Sequence, residues 1–243
     1  MLLKKIIGLG VIGLSVITAT TVMAGGVDQT EAPLFQPSVY VDLHVGYAQV
    51  NWKDFNASGV MGVLGTSYFA PNSNGLGGVT GGADVGYQFS HYLAGEGGWF
   101  YIPEVKGDAT TNGIGAGLTS GQTAKVHSWL AYLAAKLSVP MVEHVSLYGK
   151  VGVAYRSLTY TKPTSAISNL NALSKDGGYW TPVFAAGMQY TRDNWLLGVQ
   201  YLHLPGNTDH NGSVAFGTFS NGGPDAAPDV NLYTAYVGYQ YSA

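Results

Sequence analysis

The 243-residue chain contains no cysteine. This excludes disulfides, thiolate metal ligands, a cysteine nucleophile and the acylated anchor of a lipoprotein. Charge is also scarce, at 10% Asp, Glu, Lys and Arg, and positive charge is the scarcer sign, 11 Lys and Arg against 14 Asp and Glu. Two of those lysines lie in residues 1–24, and without that segment nine cations face 14 acids, a formal charge of −5. Nucleic acid, whose binding rests on neutralising phosphates, is therefore not an expected partner. The six histidines, at 44, 91, 127, 144, 203 and 210, show no short repeat suited to a shared metal ion, and no cofactor is expected. Long apolar runs are missing as well: the only one, Ile6–Ile17, is well short of the roughly 20 residues that a spanning helix requires.

That run follows Lys4 and Lys5 and precedes the small-residue site Val22-Met23-Ala24. The order of charge, apolar core and small residues is that of a secretory signal peptide, so residues 1–24 are expected to be cleaved. Residues 25–37 are read as a periplasmic lead, and 38–243 as one domain.

What the chain has in abundance is glycine (35), tyrosine (17) and alternation. Eight alternating stretches run from Ser38 to Tyr241. Long breaks near 53–77, 103–124, 159–178 and 205–229 take turns with short ones at Ser90-His91, Met141-Val142-Glu143 and Arg192-Asp193-Asn194, and Pro140 is expected to end the fourth strand. The first stretch sets Val39, Val41, Leu43, Val45 and Tyr47 against Tyr40, Asp42, His44, Gly46 and Ala48. The fifth sets Val145, Leu147, Val151, Val153 and Tyr155 against Ser146, Tyr148, Lys150, Ala154 and Arg156. One face is apolar with aromatic ends while the other carries the charge, the inverse of a soluble barrel that encloses a greasy ligand. Average hydropathy hides this because only every second residue faces lipid. The expectation is all-β: an eight-stranded antiparallel up-and-down transmembrane β-barrel. Its strands of about ten residues close on themselves because an open edge in lipid leaves backbone groups unpaired. An even strand number puts both termini in the periplasm and the four long loops outside.

A bore of eight strands is filled by side chains. The charges expected inside it are Asp42, His44, Asp84, Glu96, Lys136, Lys150 and Arg156. They form either a structural ion-pair network or a gate in which Lys150 exchanges between Asp84 and Glu96 and opens a narrow path. Catalysis is not expected. His127 and Ser128 are adjacent in a strand, so their side chains diverge, and nothing fixes Asp209, His210 and Ser213 in their loop. Apolar residues in the first loop (Val60, Met61, Val63, Leu64, Tyr68, Phe69) and the third (Ile167, Leu170, Leu173) are expected to pack together above the barrel rather than onto a partner.

On this strand and loop plan, and on the terminal stretch Tyr236-Val237-Gly238-Tyr239-Gln240-Tyr241, residues 38–241 resemble the small eight-stranded outer-membrane barrels of the OmpA transmembrane-domain and opacity-protein type. The resemblance implies a Gram-negative outer-membrane protein of envelope integrity and surface interaction, with porin-like conductance as the alternative. It implies outer-membrane lipids and lipopolysaccharide as surroundings, and a host or surface ligand at the loops. Gly238, Tyr239 and Tyr241 would be the signal read by the barrel-assembly machinery, here followed by Ser242 and Ala243. With the chain stopping there, no peptidoglycan-binding domain is expected after the barrel.

Overall fold

The computed structural model describes residues 35–52, 66–112, 123–161, 176–208 and 226–242. The proposed signal peptide, residues Val60 to Leu64, Ile167, Leu170, Leu173 and the Asp209/His210/Ser213 group lie outside these residues. The strands are β1 (Ser38–Val50), β2 (Thr66–Ser73), β3 (Gly77–Gln88), β4 (Leu93–Asn112), β5 (Thr123–Val142) and β6 (Val145–Thr161). They continue with β7 (Asp176–Arg192), β8 (Trp195–Leu204), β9 (Asn207–Thr208), β10 (Ala226–Ala227) and β11 (Val230–Ser242).

Eight of these close a ring. Each of β3 to β8 pairs antiparallel with its neighbours in the barrel, β4 pairs with β5, and β1 joins the two ends of the chain by pairing with both β3 and β11. Val41 stands opposite both Val85 and Tyr239, and Asp42 opposite both Asp84 and Gly238. Alternation fixes this register, since a one-residue slip would turn every apolar side chain inward.

The outer wall is apolar throughout its height, with Leu133 69% and Val79 73% exposed. Between the aromatic ends, the described outward positions carry no charged side chain. On β11, Tyr233 and Tyr241 mark the two ends, eight residues or roughly 26 Å apart along the strand. That is the scale of the apolar band of a membrane barrel. Ring contacts run along each end: Trp129–Tyr155 (5.9 Å), Tyr155–Trp180 (5.3 Å) and Tyr201–Tyr233 (5.2 Å) on the loop side, Trp195–Tyr239 (5.3 Å) and Tyr239–Tyr241 (4.7 Å) on the turn side.

Several loop boundaries differ from the expectation. β4 and β5 run 20 residues each, so the second break shrinks to a hairpin whose arms stand well beyond the aromatic belt. Part of the first break is strand, because β2 pairs with the extension of β4 from Thr66↔Asn112 to Ser73↔Lys106. β6 and β7 likewise extend to Thr161 and from Asp176, and the short β9–β10 pair lies in the fourth break. Polar alternation outside the membrane has no apolar face to betray it, which is why the sequence hid these extensions. Nor does Pro140 end its strand. It stands opposite Ser146, with the register shifting between Pro140 and Val142, and the turn is Glu143-His144. Proline is tolerated where a bulge removes the need for its missing N–H.

The lumen is packed by a recurring pair. Tyr40 stands opposite Gly86, Phe100 opposite Gly82, Tyr132 opposite Gly98, Tyr148 opposite Gly187 and Tyr236 opposite Gly198. Each ring lies over its glycine, and a Cβ there would collide with it. The glycine content thus makes room for large side chains inside a narrow bore.

Candidate functional site: a charged layer beneath an apolar seal

Three layers fill the bore. At the turn end, Gln240 donates to Ser38 (2.6 Å) and to Gln88 (3.2 Å), and a cavity of about 350 Å³ is lined by Tyr40, Gln88, Lys136, Gln189 and Gln240 among others. The charged layer lies above it. The loop-side half is mainly apolar, with Ala48, Val50, Trp52, Phe100, Ile102, Leu130, Leu158, Leu202, Leu204, Val230 and Leu232 all buried in one cluster, among which Arg156, Ser128 and Thr181 are buried polar residues.

Glu96 and Lys150 form the centre of the charged layer. Lys150 Nζ donates to Glu96 Oε1 and, at 3.3 Å, to Asp84 Oδ2, bridging both acids at once. The remaining capacity of Glu96 is filled by Tyr132, donating to Oε1 at 2.6 Å, by Tyr40, donating to Oε2 at 2.8 Å, and by Lys136 Nζ at 3.8 Å. Lys136 donates to Gln189 Oε1 (2.9 Å) and its ammonium lies over the rings of Tyr148 (4.5 Å) and Tyr40 (4.8 Å). His44 Nε2 sits 3.0 Å from Asp84 Oδ2, off the line of a good hydrogen bond, while Nδ1 is 3.2 Å from Thr234 Oγ1. Buried charges are tolerated when paired in this way, and removing one partner leaves the other costly.

Five of the seven expected lumen charges therefore share one network: His44, Asp84, Glu96, Lys136 and Lys150. Asp42 borders it. It is buried directly opposite Asp84, and its Oδ1, pressed against Gly238, receives no hydrogen bond. Arg156 does not join the network. Fully buried near the loop end, its guanidinium donates to Ser128 Oγ (3.1 Å), Tyr179 Oη (3.2 Å) and the Pro228 carbonyl (2.5 Å), with no carboxylate within ion-pair distance among the described residues. It is a clasp between β5, β6, β7 and the entry to β11. The tyrosine donors Tyr40, Tyr132, Tyr148 and Tyr236 were missed by reading charges alone. Their signal was present, since each occupies an inward position of an otherwise readable strand.

The other sequence expectations fall on the wall. His127 points outward, 2.9 Å from Glu104 Oε2, while Ser128 points inward to Arg156, so the two diverge. Gly238 faces the bore; Tyr239 and Tyr241 face out at the turn end, and Asn194 Nδ2 donates to Tyr239 Oη at 3.2 Å. Among the described residues no group of three His, Asp or Glu side chains is arranged to hold a metal.

The family profile described as the OmpA-like transmembrane domain matches residues 38–242, the whole of the barrel. The chain belongs to that family. It is an OmpA-like barrel of the bacterial outer membrane, and the family is not one of enzymes. No curated protein matches the chain. Solved structures similar to it include Neisserial surface protein A (12% identity, 84% of this chain and 99% of that one, TM-score 0.48). OprG from Pseudomonas aeruginosa is also similar (15% identity, 86% and 98%, TM-score 0.45). A third is Ail, the attachment invasion locus protein of Yersinia pestis, in complex with the heparin analogue sucrose octasulfate (12% identity, 84% and 99%, TM-score 0.41).

Proposed function

We propose that this OmpA-like barrel is a sealed structural and surface-interaction protein of the outer membrane, not a pore. The observation that carries the reading is the packed, mainly apolar loop-side half of the bore, whose one buried cation, Arg156, is held by Ser128, Tyr179 and the Pro228 carbonyl. A path would have to pass Phe100, Leu130, Leu158, Leu202 and Leu232, all buried at no measurable exposure, before reaching the charged layer. Exchange of Lys150 between Asp84 and Glu96 would not open that half. Lys150 already bridges both acids, which favours a network that holds the walls together over a gate.

In this reading the chain enters the periplasm through cleavage after residue 24, residues 25–37 precede the barrel on that side, and Gly238, Tyr239 and Tyr241 present the assembly signal to the barrel-assembly machinery. The short turns face the periplasm and the long connections face outward, where their residues meet a host or surface ligand. The test is single-channel recording of the folded protein in planar bilayers, after heat-modifiable gel migration has established folding. Silence is expected. Reproducible discrete steps abolished by Lys150→Met would instead establish the gated channel.

A further inference from the structure

At the turn end the closed ring of strands forms a cup. Each of the eight barrel strands contributes to the lining of its cavity of about 350 Å³, from Tyr40 on β1 to Gln240 on β11. The rim residues His91, Tyr92 and Pro140 are exposed, and the floor is Lys136, buried at the edge of the charged layer. The volume holds roughly a dozen waters or one hexose ring.

Much of the hydrogen-bonding capacity of this lining is unused. An ammonium has three donors, and Lys136 makes one hydrogen bond, to Gln189 Oε1 at 2.9 Å; Glu96 Oε2, at 3.8 Å, is an ion-pair partner beyond hydrogen-bond reach. Gln88 accepts from Ser38 and Gln240 but its Nε2 donates to nothing, and Gln240 Oε1 accepts nothing. The hydroxyls of Ser138 and Ser146 have no partner among the described residues. No carboxylate lines the cup. The layer beneath holds three, Asp42, Asp84 and Glu96, against two ammoniums and the His44 imidazole, so the bore offers an entering anion no surplus of positive charge.

We infer that the cup binds a neutral polyhydroxylated ring, a free monosaccharide. Side-chain amides and hydroxyls both donate and accept, as sugar hydroxyls do. Lys136 supplies the buried donor that fixes orientation, and Tyr40, Ala94 and Leu196, packed as one buried cluster, give the apolar surface for the face of a pyranose. The charged layer and the packed loop-side half close the far side, so the cup is a binding site and not an entrance. In the orientation proposed above it faces the periplasm, but binding does not rest on that orientation.

The folded protein, in lipid nanodiscs free of sugar detergents, is titrated with methyl β-glucoside while the side-chain amides of Gln88, Gln189 and Gln240 are followed by nuclear magnetic resonance. We expect saturable shifts at these amides with a dissociation constant of about 1–10 mM, the scale for a ligand of this size. Methyl β-glucuronide, the same ring with a carboxylate, and cyclohexanol, a ring with one hydroxyl, should bind about tenfold more weakly. Ser138→Phe fills the cup without breaking a side-chain hydrogen bond and should abolish the shifts. Ser138→Ala with Ser146→Ala leaves the space open and should weaken binding about fivefold; heat-modifiable migration confirms that both variants fold. Absence of saturation, or shifts undiminished in both variants, overturns the site. Glucuronide or cyclohexanol binding as tightly as the glucoside overturns the ligand class. Cellotriose should gain nothing from a cup of one ring, and tighter binding of it overturns the free sugar as the source in favour of a glycan chain end.

Discussion

Replacing Lys150 with Met removes the one lysine among the described residues whose ammonium forms ion pairs with both Asp84 and Glu96. The two acids are not equally dependent on it. Glu96 keeps Tyr40, Tyr132 and Lys136, so both its oxygens remain engaged. Asp84 keeps the off-line approach of His44 and the neighbouring Tyr132 hydroxyl, which also serves Glu96, and its Oδ1 already lacks a hydrogen bond. Breaking a buried pair by removing one partner costs about 3–5 kcal/mol. Because Glu96 retains its partners, the lower end applies, about 3 kcal/mol, or roughly two decades in the folding equilibrium. Asp84→Asn added to Lys150→Met removes the stranded charge while keeping the side chain's size, and should recover about half of the loss if the cost sits at Asp84. The assay is urea unfolding in lipid vesicles followed by tryptophan fluorescence, with gel migration of the unheated protein as a second probe. A loss under about 1 kcal/mol for Lys150→Met, or no recovery in the double variant, would refute the structural reading of the network.

Other expectations follow from the same geometry. Gly86→Ala places a Cβ in the ring of Tyr40 and should destabilise by about 1–3 kcal/mol by overpacking, measured by the same unfolding; an unchanged midpoint would show that the ring moves freely. Leu133→Arg, at the middle of the lipid face of β5, should cost about 2–4 kcal/mol, whereas Thr123→Arg, at the start of that strand, should be nearly neutral. Leu130→Ala with Leu158→Ala thins the apolar seal, each truncation costing about 2–5 kcal/mol; transient conductance absent from the parent is expected in planar bilayers, and continued silence would place the seal elsewhere. Arg156→Met removes the donor to the Pro228 carbonyl and one of the contacts of Tyr179, which keeps the Pro205 carbonyl, so amide exchange should quicken at Asp229 and Val230 while mid-barrel strands keep their protection.

Most of the barrel was readable because a membrane wall imposes a period of two on sequence. Val39 to Tyr47 and Val145 to Tyr155 declare their lipid face by composition, and that parity places Asp42, Asp84, Glu96, Lys136 and Lys150 inside without any knowledge of register. The glycine positions were visible but their purpose was not. Gly86 and Tyr40 are 46 residues apart and become partners only when β1 pairs with β3. The extensions of β4 and β5, and the β2 strand beside them, were hidden for a different reason: beyond the bilayer both faces of a hairpin are solvated, so nothing forces one face to be apolar.

The order of residues along this chain determined by itself its class, the number of membrane strands and which side chains face lipid, since these follow from local alternation and from the need to satisfy every backbone group in hydrocarbon. Only the tertiary structure decided that Lys150 bridges two acids while Asp42 receives no hydrogen bond at one oxygen and Arg156 stands apart. It alone showed that the loop-side half of the bore is packed mainly by apolar side chains from strands far apart in sequence. Those facts depend on distances across the barrel and on strand register, which closure sets and local sequence does not record.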